Sequence, residues 1–324
     1  MGQPTNTYDH YDIGTAGGLR EDLRDVIYNI SPTETPFVQN CSVGSAKQAY
    51  HEWTIDSLAN AAANSNIDGD DASGDSQTAT VRRGNYCQIL DKVIVVADSV
   101  EAMDRAGRDS EMAYLTAKAG KELKRDLEYN LVGLNQARAA GNNSTSRKFG
   151  SLTTWIATND QIIGTGSPAG ASPTGDGTDA RTDAGTQAAL TETYLNNAIT
   201  AAWEQGGSPN MIMVGSFNKK KITAFVGNAT KYKDVQDRKV INAVDLYVSD
   251  FGELTVVPNR FQRARDVWVL DMDMFELAYL PGRSFKVNEL AKTGDATKKQ
   301  MLIDVTLVSK QEKASAGVFD CTTA

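Results

Sequence analysis

Apolar side chains recur every four residues between 109 and 139, where Leu115, Ala119, Leu123, Leu127 and Leu131 line up with Met112 and Leu134 beside them. That stripe predicts one amphipathic helix of about 30 residues, roughly 45 Å long, opened by an Asp109-Ser110 cap. A single apolar face on so long a rod requires an equally long surface to lie on.

Shorter patterns flank it. Residues 1–18 are polar and Gly-rich and read as an arm without periodic structure. Leu19, Leu23, Val26, Ile27 and Ile30 predict a short helix over 19–30, and the two prolines of SPTETPF (31–37) stop it and make the next segment extend. Strict alternation predicts a strand over 46–58, with Ala49, His51, Trp53 and Ile55 on one side. Residues 79–97 predict a second, longer strand, bent at Gly84, and the small polar stretch 60–78 between them closes a long hairpin. Residues 160–190 carry few large apolar side chains and read as a long surface loop. Beyond them the pattern becomes α/β. A helix over 191–206 starts at Thr191 and carries Tyr194, Leu195, Ile199, Ala202 and Trp203 on one face. Strands follow at 211–215, 244–250, 254–259 and 266–280, with a short helix at 217–227 and a last strand over 299–312.

The result is a mixed α+β chain: a compact part from about 191 to 280, with a long helix, a hairpin and an arm attached. A chain of about 300 residues buries around three quarters of its unfolded surface. A two-stranded ribbon is marginal by itself, so the hairpin and arm fall short of that figure within one copy. Neighbouring copies are expected to supply the missing cover.

Composition narrows the function classes. The chain has 324 residues and a formal net charge of −8, from 33 basic and 41 acidic side chains, and its length suggests about two domains. The acidic balance argues against a dedicated nucleic-acid binder. No apolar run approaches the roughly 18–20 residues that span a bilayer. The first 18 residues, with neither a basic nor an apolar block, do not read as a secretory signal. Cys41, Cys87 and Cys321 are odd in number and far apart, which excludes a disulfide framework and suits a reducing compartment. His10 and His51 are isolated, which excludes a His-rich zinc site and any HExxH helix.

Candidate chemistry is thin. Asp68, Asp70, Asp71 and Asp75 crowd the hairpin tip. Counted from Asp68, however, the glycine and the last carboxylate of a calcium loop fall on Ser73 and Ala79, so the tip reads as solvated loop. Gly164, Gly166 and Gly170 lack the spacing of a phosphate loop. Asp271 and Asp273 share one face of the strand expected there, a face turned to solvent or an interface and not to a metal. Lys219, Lys220 and Lys221, like Lys118, Lys121, Lys124 and Arg125, read as solvated faces, with weak polyanion contact as a subsidiary role. Trp53, Trp155, Trp203 and Trp268 read as core or interface anchors. No GxSxG occurs. No catalytic, cofactor-binding or metal-binding residue is assigned, and an enzyme is not expected.

Five segments in order carry a resemblance: REDLRDVIYNISPTETPF (20–37), YHEWTIDSL (50–58), NYCQILDK (85–92), AGRDSEMAYLTAKAGKELKRDLEYNL (106–131) and DFGELTVVPNRF (250–261), with LAKTGDATKK (290–299) consistent. Together they resemble the major capsid proteins of tailed bacteriophages, in the family typified by the phage SU-ten major capsid protein, with the Hong Kong 97-type fold.

The resemblance implies a division into an N-terminal arm (1–48), an extended hairpin loop (49–97), a peripheral domain with a spine helix (98–154), an axial domain (155–262), and return strands of the peripheral domain with a C-terminal tail (263–324). It also implies a virion protein, assembled in the host bacterial cytoplasm into pentamers and hexamers of an icosahedral head around double-stranded DNA, which it touches weakly and without sequence preference. Its implied partners are its own copies and scaffolding, portal and decoration proteins, with no membrane and no cofactor. Only about 18 residues precede the arm helix, so either a separate scaffold or a processed or unscaffolded form of the chain is expected. The alternative is an encapsulin-like compartment of the same fold, holding enzyme cargo.

Overall fold

The structure is a computed structural model that describes residues 32–59, 61–65, 68, 69, 71, 74, 77–103, 109–225 and 246–324. The helix expected over 19–30 lies outside them, as do Asp70 and Asp75.

The described chain opens with helix α1 (Pro36–Asn40) and strand β1 (Ser42–Ser45). The extended conformation expected through residue 37 gives way at Pro36. A proline in the first helical turn loses nothing, because its absent N–H would be unpaired there anyway. Strands β2 (Tyr50–Ile55) and β3 (Val81–Tyr86) pair antiparallel, from Tyr50 opposite Tyr86 to Ile55 opposite Val81.

The single strand expected over 79–97 is two. Gly84 stays within β3, where Tyr50 and Glu52 cover its face so closely that a Cβ would lie 2.7 Å from the tyrosine ring. The break comes at Cys87. Its N–H donates to the Ala49 carbonyl at 2.8 Å, and its own carbonyl accepts from Arg147 Nε at 3.0 Å. Strand β4 (Gln88–Ala97) then leaves the hairpin and enters another sheet.

Helix α2 (Asp98–Ala102) leads to α3 (Glu111–Glu128), continued by one π-helical turn, Tyr129–Gly133. Ser110 Oγ accepts the Ala113 N–H at 3.2 Å, as the cap predicts, and Leu123, Leu127 and Leu131 are fully buried. The rod is shorter than expected. Leu134 is extended, and Asn135 and Gln136 spend their side chains on the carbonyls of Arg181 and Phe149. Their partners lie 46 and 13 residues away, so tertiary hydrogen bonds hold the chain in its extended course.

Two larger sheets follow. In the five-stranded sheet, β12 (Ala296–Ser309) pairs β4 on one side and β11 (Lys286–Glu289) and β10 (Phe275–Tyr279) on the other, with β1 parallel to β10 at the edge. The six-stranded sheet runs β5 (Asp160–Ile162), β13 (Ala316–Phe319), β9 (Val267–Leu270), β6 (Met211–Val214), β8 (Gly252–Pro258), β7 (Leu246–Ser249). The strand expected over 266–280 is therefore split between sheets. Asp271 caps the 3-10 turn Met272–Met274 that turns the chain from one to the other. The return segment beyond 262 serves both sheets, and β1, β11 and β13 are four-residue strands outside the expected set.

One core joins the sheets: Leu123 and Leu127 of α3 and Leu131 of the π-helical turn pack with Phe37, Trp155, Trp268, Phe275 and Leu307. A second lies on the six-stranded sheet beneath α4 (Glu192–Glu204), where Leu195, Ile199 and Ala202 meet Ile212, Val256 and Val318. Tyr194 and Trp203, expected on that buried face, are exposed; Trp203 is 54% exposed and stacks on Phe251 at 5.0 Å. Helix α5 (Ser216–Phe225) buries Ile222 in the same core.

The loop over 160–190 is more ordered than its composition suggests. Bridges join Thr165 to Thr186 and Ala171 to Thr182, Leu190 is buried, and Arg181 is 3% exposed with its guanidinium over the Phe319 ring at 3.4 Å. Polar pairing does for this loop what apolar burial does elsewhere.

Candidate assembly surface

The hairpin divides into an anchored base and an exposed limb. At the base, Trp53 Nε1 donates to the Ser309 carbonyl at 2.8 Å, and its ring stacks 5.5 Å from Trp155. Asn85 donates to Leu307 O at 2.8 Å and accepts from Gly150 N at 2.9 Å. Arg138 donates to the Gly84 carbonyl and covers the Tyr50 ring at 5.5 Å, while Arg83 pairs with Asp176 at 3.7 Å. The base is thus bonded to β12, to the segment after α3 and to the 160–190 loop. From Asp56 to Arg82 every described residue is exposed, and Leu58 is 97% exposed.

Strand β4 carries the second feature. Ile94 and Val96 face α3 and pack with Met112 and Ala119, whereas Ile89, Val93 and Val95 point the other way and are exposed. Among the described residues β4 pairs β12 alone, which places it at an edge of the sheet. Three exposed apolar side chains on the outer face of a ten-residue edge strand, with Asp91 between Ile89 and Val93, are what soluble monomers avoid.

The residues singled out from sequence do not converge. Asp68 and Asp71 are exposed, and no cluster of three metal-ligating side chains occurs among the described residues. Gly164 packs against Asp320 and Ala184, so its backbone approaches protein and no phosphate cradle forms. Asp271 and Asp273 do not share a strand face: Asp271 is buried and accepts the Asp273 and Ser208 N–H groups. His51 lies half-buried 6.1 Å from Trp53, and His10 is outside the described residues. Lys219 donates to the Val256 carbonyl at 2.8 Å and Lys221 sits 5.3 Å over Phe217, so part of that lysine run packs on protein. Lys118, Lys121 and Lys124 are exposed along α3. Trp155 and Trp268 are core, Trp53 anchors the hairpin, and Trp203 is a surface ridge.

Two structural sites were missed. Glu128 is fully buried and bonded to Phe37, Val38 and Asn259. Its only sequence signal is a charge lying directly beside the Leu127–Leu131 stripe. The other is a buried Arg/Asp cluster joining residues 160–183 to 263–266 and 320, whose members are too far apart in sequence to be seen together.

The sequence profile of the SU10 major capsid protein family matches residues 3–322. The major capsid protein of Escherichia phage Phieco32 is 35% identical over 139 residues; the match covers 43% of this chain and 38% of that protein, so it spans well under half the length of this curated relative. Among solved structures, the cyanophage A-1(L) capsid aligns with a TM-score of 0.65 at 14% identity, covering 95% of this chain and 98% of that one. The capsid of a native GTA particle aligns at 0.62 and 10% identity, over 96% and 98%. Mycobacterium phage Bobi aligns at 0.60 and 12%, over 96% and 98%. At these identities the likeness is one of fold: the mixed helix-and-strand architecture of phage capsid subunits, the Hong Kong 97-type fold.

Proposed function

The chain belongs to the SU10 major capsid protein family, and from that premise we propose that its copies assemble into pentamers and hexamers of an icosahedral phage head enclosing double-stranded DNA. The observation that carries this reading is the pairing of surplus with want: a limb whose described residues from Asp56 to Arg82 are all exposed, and exposed apolar side chains at Ile89, Val93 and Val95. Fully covering one Val, Leu or Ile contributes about 1.5–3 kcal/mol. A contact repeated in every copy needs only a few such side chains, because closure multiplies them.

The five-stranded sheet with α3 supports a peripheral domain with a spine helix at 98–154. The six-stranded sheet supports an axial domain at 155–262, to which β9 and β13 are added from the return segment 263–324. Residues 1–48 then form the arm, and of 49–97 the part before Cys87 forms the loop laid over a neighbour, since β4 is a strand of the five-stranded sheet. The protein works as a structural subunit of the virion, put together in the host cytoplasm. Scaffolding, portal and decoration proteins are further partners, and DNA is touched weakly, as the net charge of −8 favours. Among the described residues no helix is long and apolar enough to cross a membrane. The encapsulin-like alternative is not favoured, since the similar proteins are phage capsids.

Electron microscopy of the purified full chain tests this. Uniform closed shells are expected. A chain that stays monomeric at every concentration would overturn the proposal, and enzyme cargo in place of DNA inside shells isolated from their source would turn it to the compartment reading.

A further inference from the structure

The Arg/Asp cluster holds more acid than base. Arg181, in the 160–190 loop, pairs with Asp160 at 2.7 Å; Arg265 pairs with Asp320 at 2.7 Å; Arg263 pairs with Asp183 at 2.5 Å. Three arginines thus have three carboxylates close by, and a fourth carboxyl, Asp266, remains. It is fully buried, and neither of its oxygens has a hydrogen-bond partner. Its nearest cation is Arg263 Nε at 3.5 Å, already engaged elsewhere. An ionised Asp266 would leave one uncompensated negative charge inside the protein, which low-dielectric surroundings penalise heavily.

The cluster also fastens the loop. Ala184 donates to Asp320 Oδ2 at 3.1 Å and accepts from Arg265 at 2.9 Å, Arg181 donates to the Ile156 carbonyl at 2.8 Å, and Ala188 N donates to Asp320 O at 3.0 Å. We propose that Asp266 carries a proton that neutralises this cluster, and that losing the proton loosens the 160–190 loop from the six-stranded sheet. The device lies in the fold of the single chain and holds whatever the chain assembles into.

The groups facing Asp266 are Arg263 on its own turn, Arg181 and Asp183 from the loop, and Asp320 and Cys321 after β13. Burial pushes the Asp266 carboxyl up to about 7, against the pull of Arg263 and Arg181. The sign follows. A carboxyl that holds its proton more tightly when the loop is closed favours closure below about 7, and that advantage shrinks as pH rises from the ordinary carboxylate range to about 7. With an ordinary value in the opened form, opening grows about tenfold between pH 6 and pH 8.

Hydrogen exchange of residues 163–190 in the full chain, corrected for the intrinsic pH dependence of exchange, reads this directly. The expected result is about tenfold more opening at pH 8 than at pH 6, and no such dependence in Asp266→Asn, which keeps the shape without the charge. An unchanged pH dependence in Asp266→Asn, or none in the unmodified chain, would overturn the proposal. Should that variant fail to fold, the infrared band of a protonated carboxyl in the unmodified chain decides. Its loss between pH 6 and pH 9 supports the proposal, and its absence at pH 6 refutes it.

Discussion

The carboxylate of Glu128, at the end of one helix, caps the start of another: its Oε1 accepts the Phe37 N–H and its Oε2 the Val38 N–H, each at 2.9 Å. The residue in the usual capping place, Thr35, makes no such bond with its side chain. A charge placed at a helix N-terminus meets both its unpaired donors and its dipole. Asn259 donates to the same Oε1 at 2.6 Å, so one carboxylate joins the arm, the long helix and the end of β8. Burial still pushes the Glu128 carboxyl upward, against the three bonds that hold it down.

Replacing Glu128 by Gln turns an acceptor into a donor facing N–H groups. We expect a loss of about 1–3 kcal/mol in urea unfolding, with protease cleavage near residues 32–40 that the unmodified chain resists. Unchanged stability would show that the cap contributes nothing.

Trp53→Ala removes the bond to Ser309 O and the stack on Trp155. A loss of roughly 2–4 kcal/mol is expected, scaled from buried Trp truncations. Amide protection should fall first in β2 and β3 and leave the β4–β12 ladder intact; equal loss in both would contradict the separate anchoring of the base.

Leu58→Asp should leave thermal unfolding of the single chain within about 0.5 kcal/mol, because the side chain is 97% exposed. Shell formation, followed by sedimentation, should drop sharply. Normal shells from this variant would remove Leu58 from the assembly contact.

The outer face of β4 gives the complementary test. Val93→Lys places a charge where solvent now lies and should be neutral for folding but costly for assembly. A variant that unfolds instead would mean that this face is covered within one copy.

Cys41, Cys87 and Cys321 are all buried and unpaired. Burial drives each thiol upward, Cys87 to about 11. A thiol reagent at pH 8 should therefore label none of them in the folded chain and all after denaturation. Rapid labelling of Cys87 without denaturant would reveal opening at the hairpin base.

What the sequence showed and hid follows from how each element is held. The α3 stripe and the β2 alternation were legible because apolar burial against one long surface imposes a period. The breaks at Cys87 and Asp271 were not, because alternation runs smoothly across both, and only the hydrogen bond from Cys87 to Ala49 and those from Arg147 and Asp273 mark the turns. Residues 160–190 misled for a related reason. Arg181, Asp183 and the bridged threonines order that loop through partners as distant as Asp320, and composition does not register such pairs. The assembly surface was legible only as a deficit, a hairpin with nothing to cover it; which strand offers the open face required the sheet order.

At Cys87 the exposed limb and the ten-residue strand β4 become one continuous backbone. A lengthwise pull on the limb would load the bonds of the base first and, past them, the rungs between β4 and β12, from Gln88–Val305 to Ala97–Ala296. Those rungs lie across the line of pull, so they share the load side by side and do not yield one after another. A shell swollen by the pressure of its contents would find its tensile members already spliced into the longest ladder of the described residues.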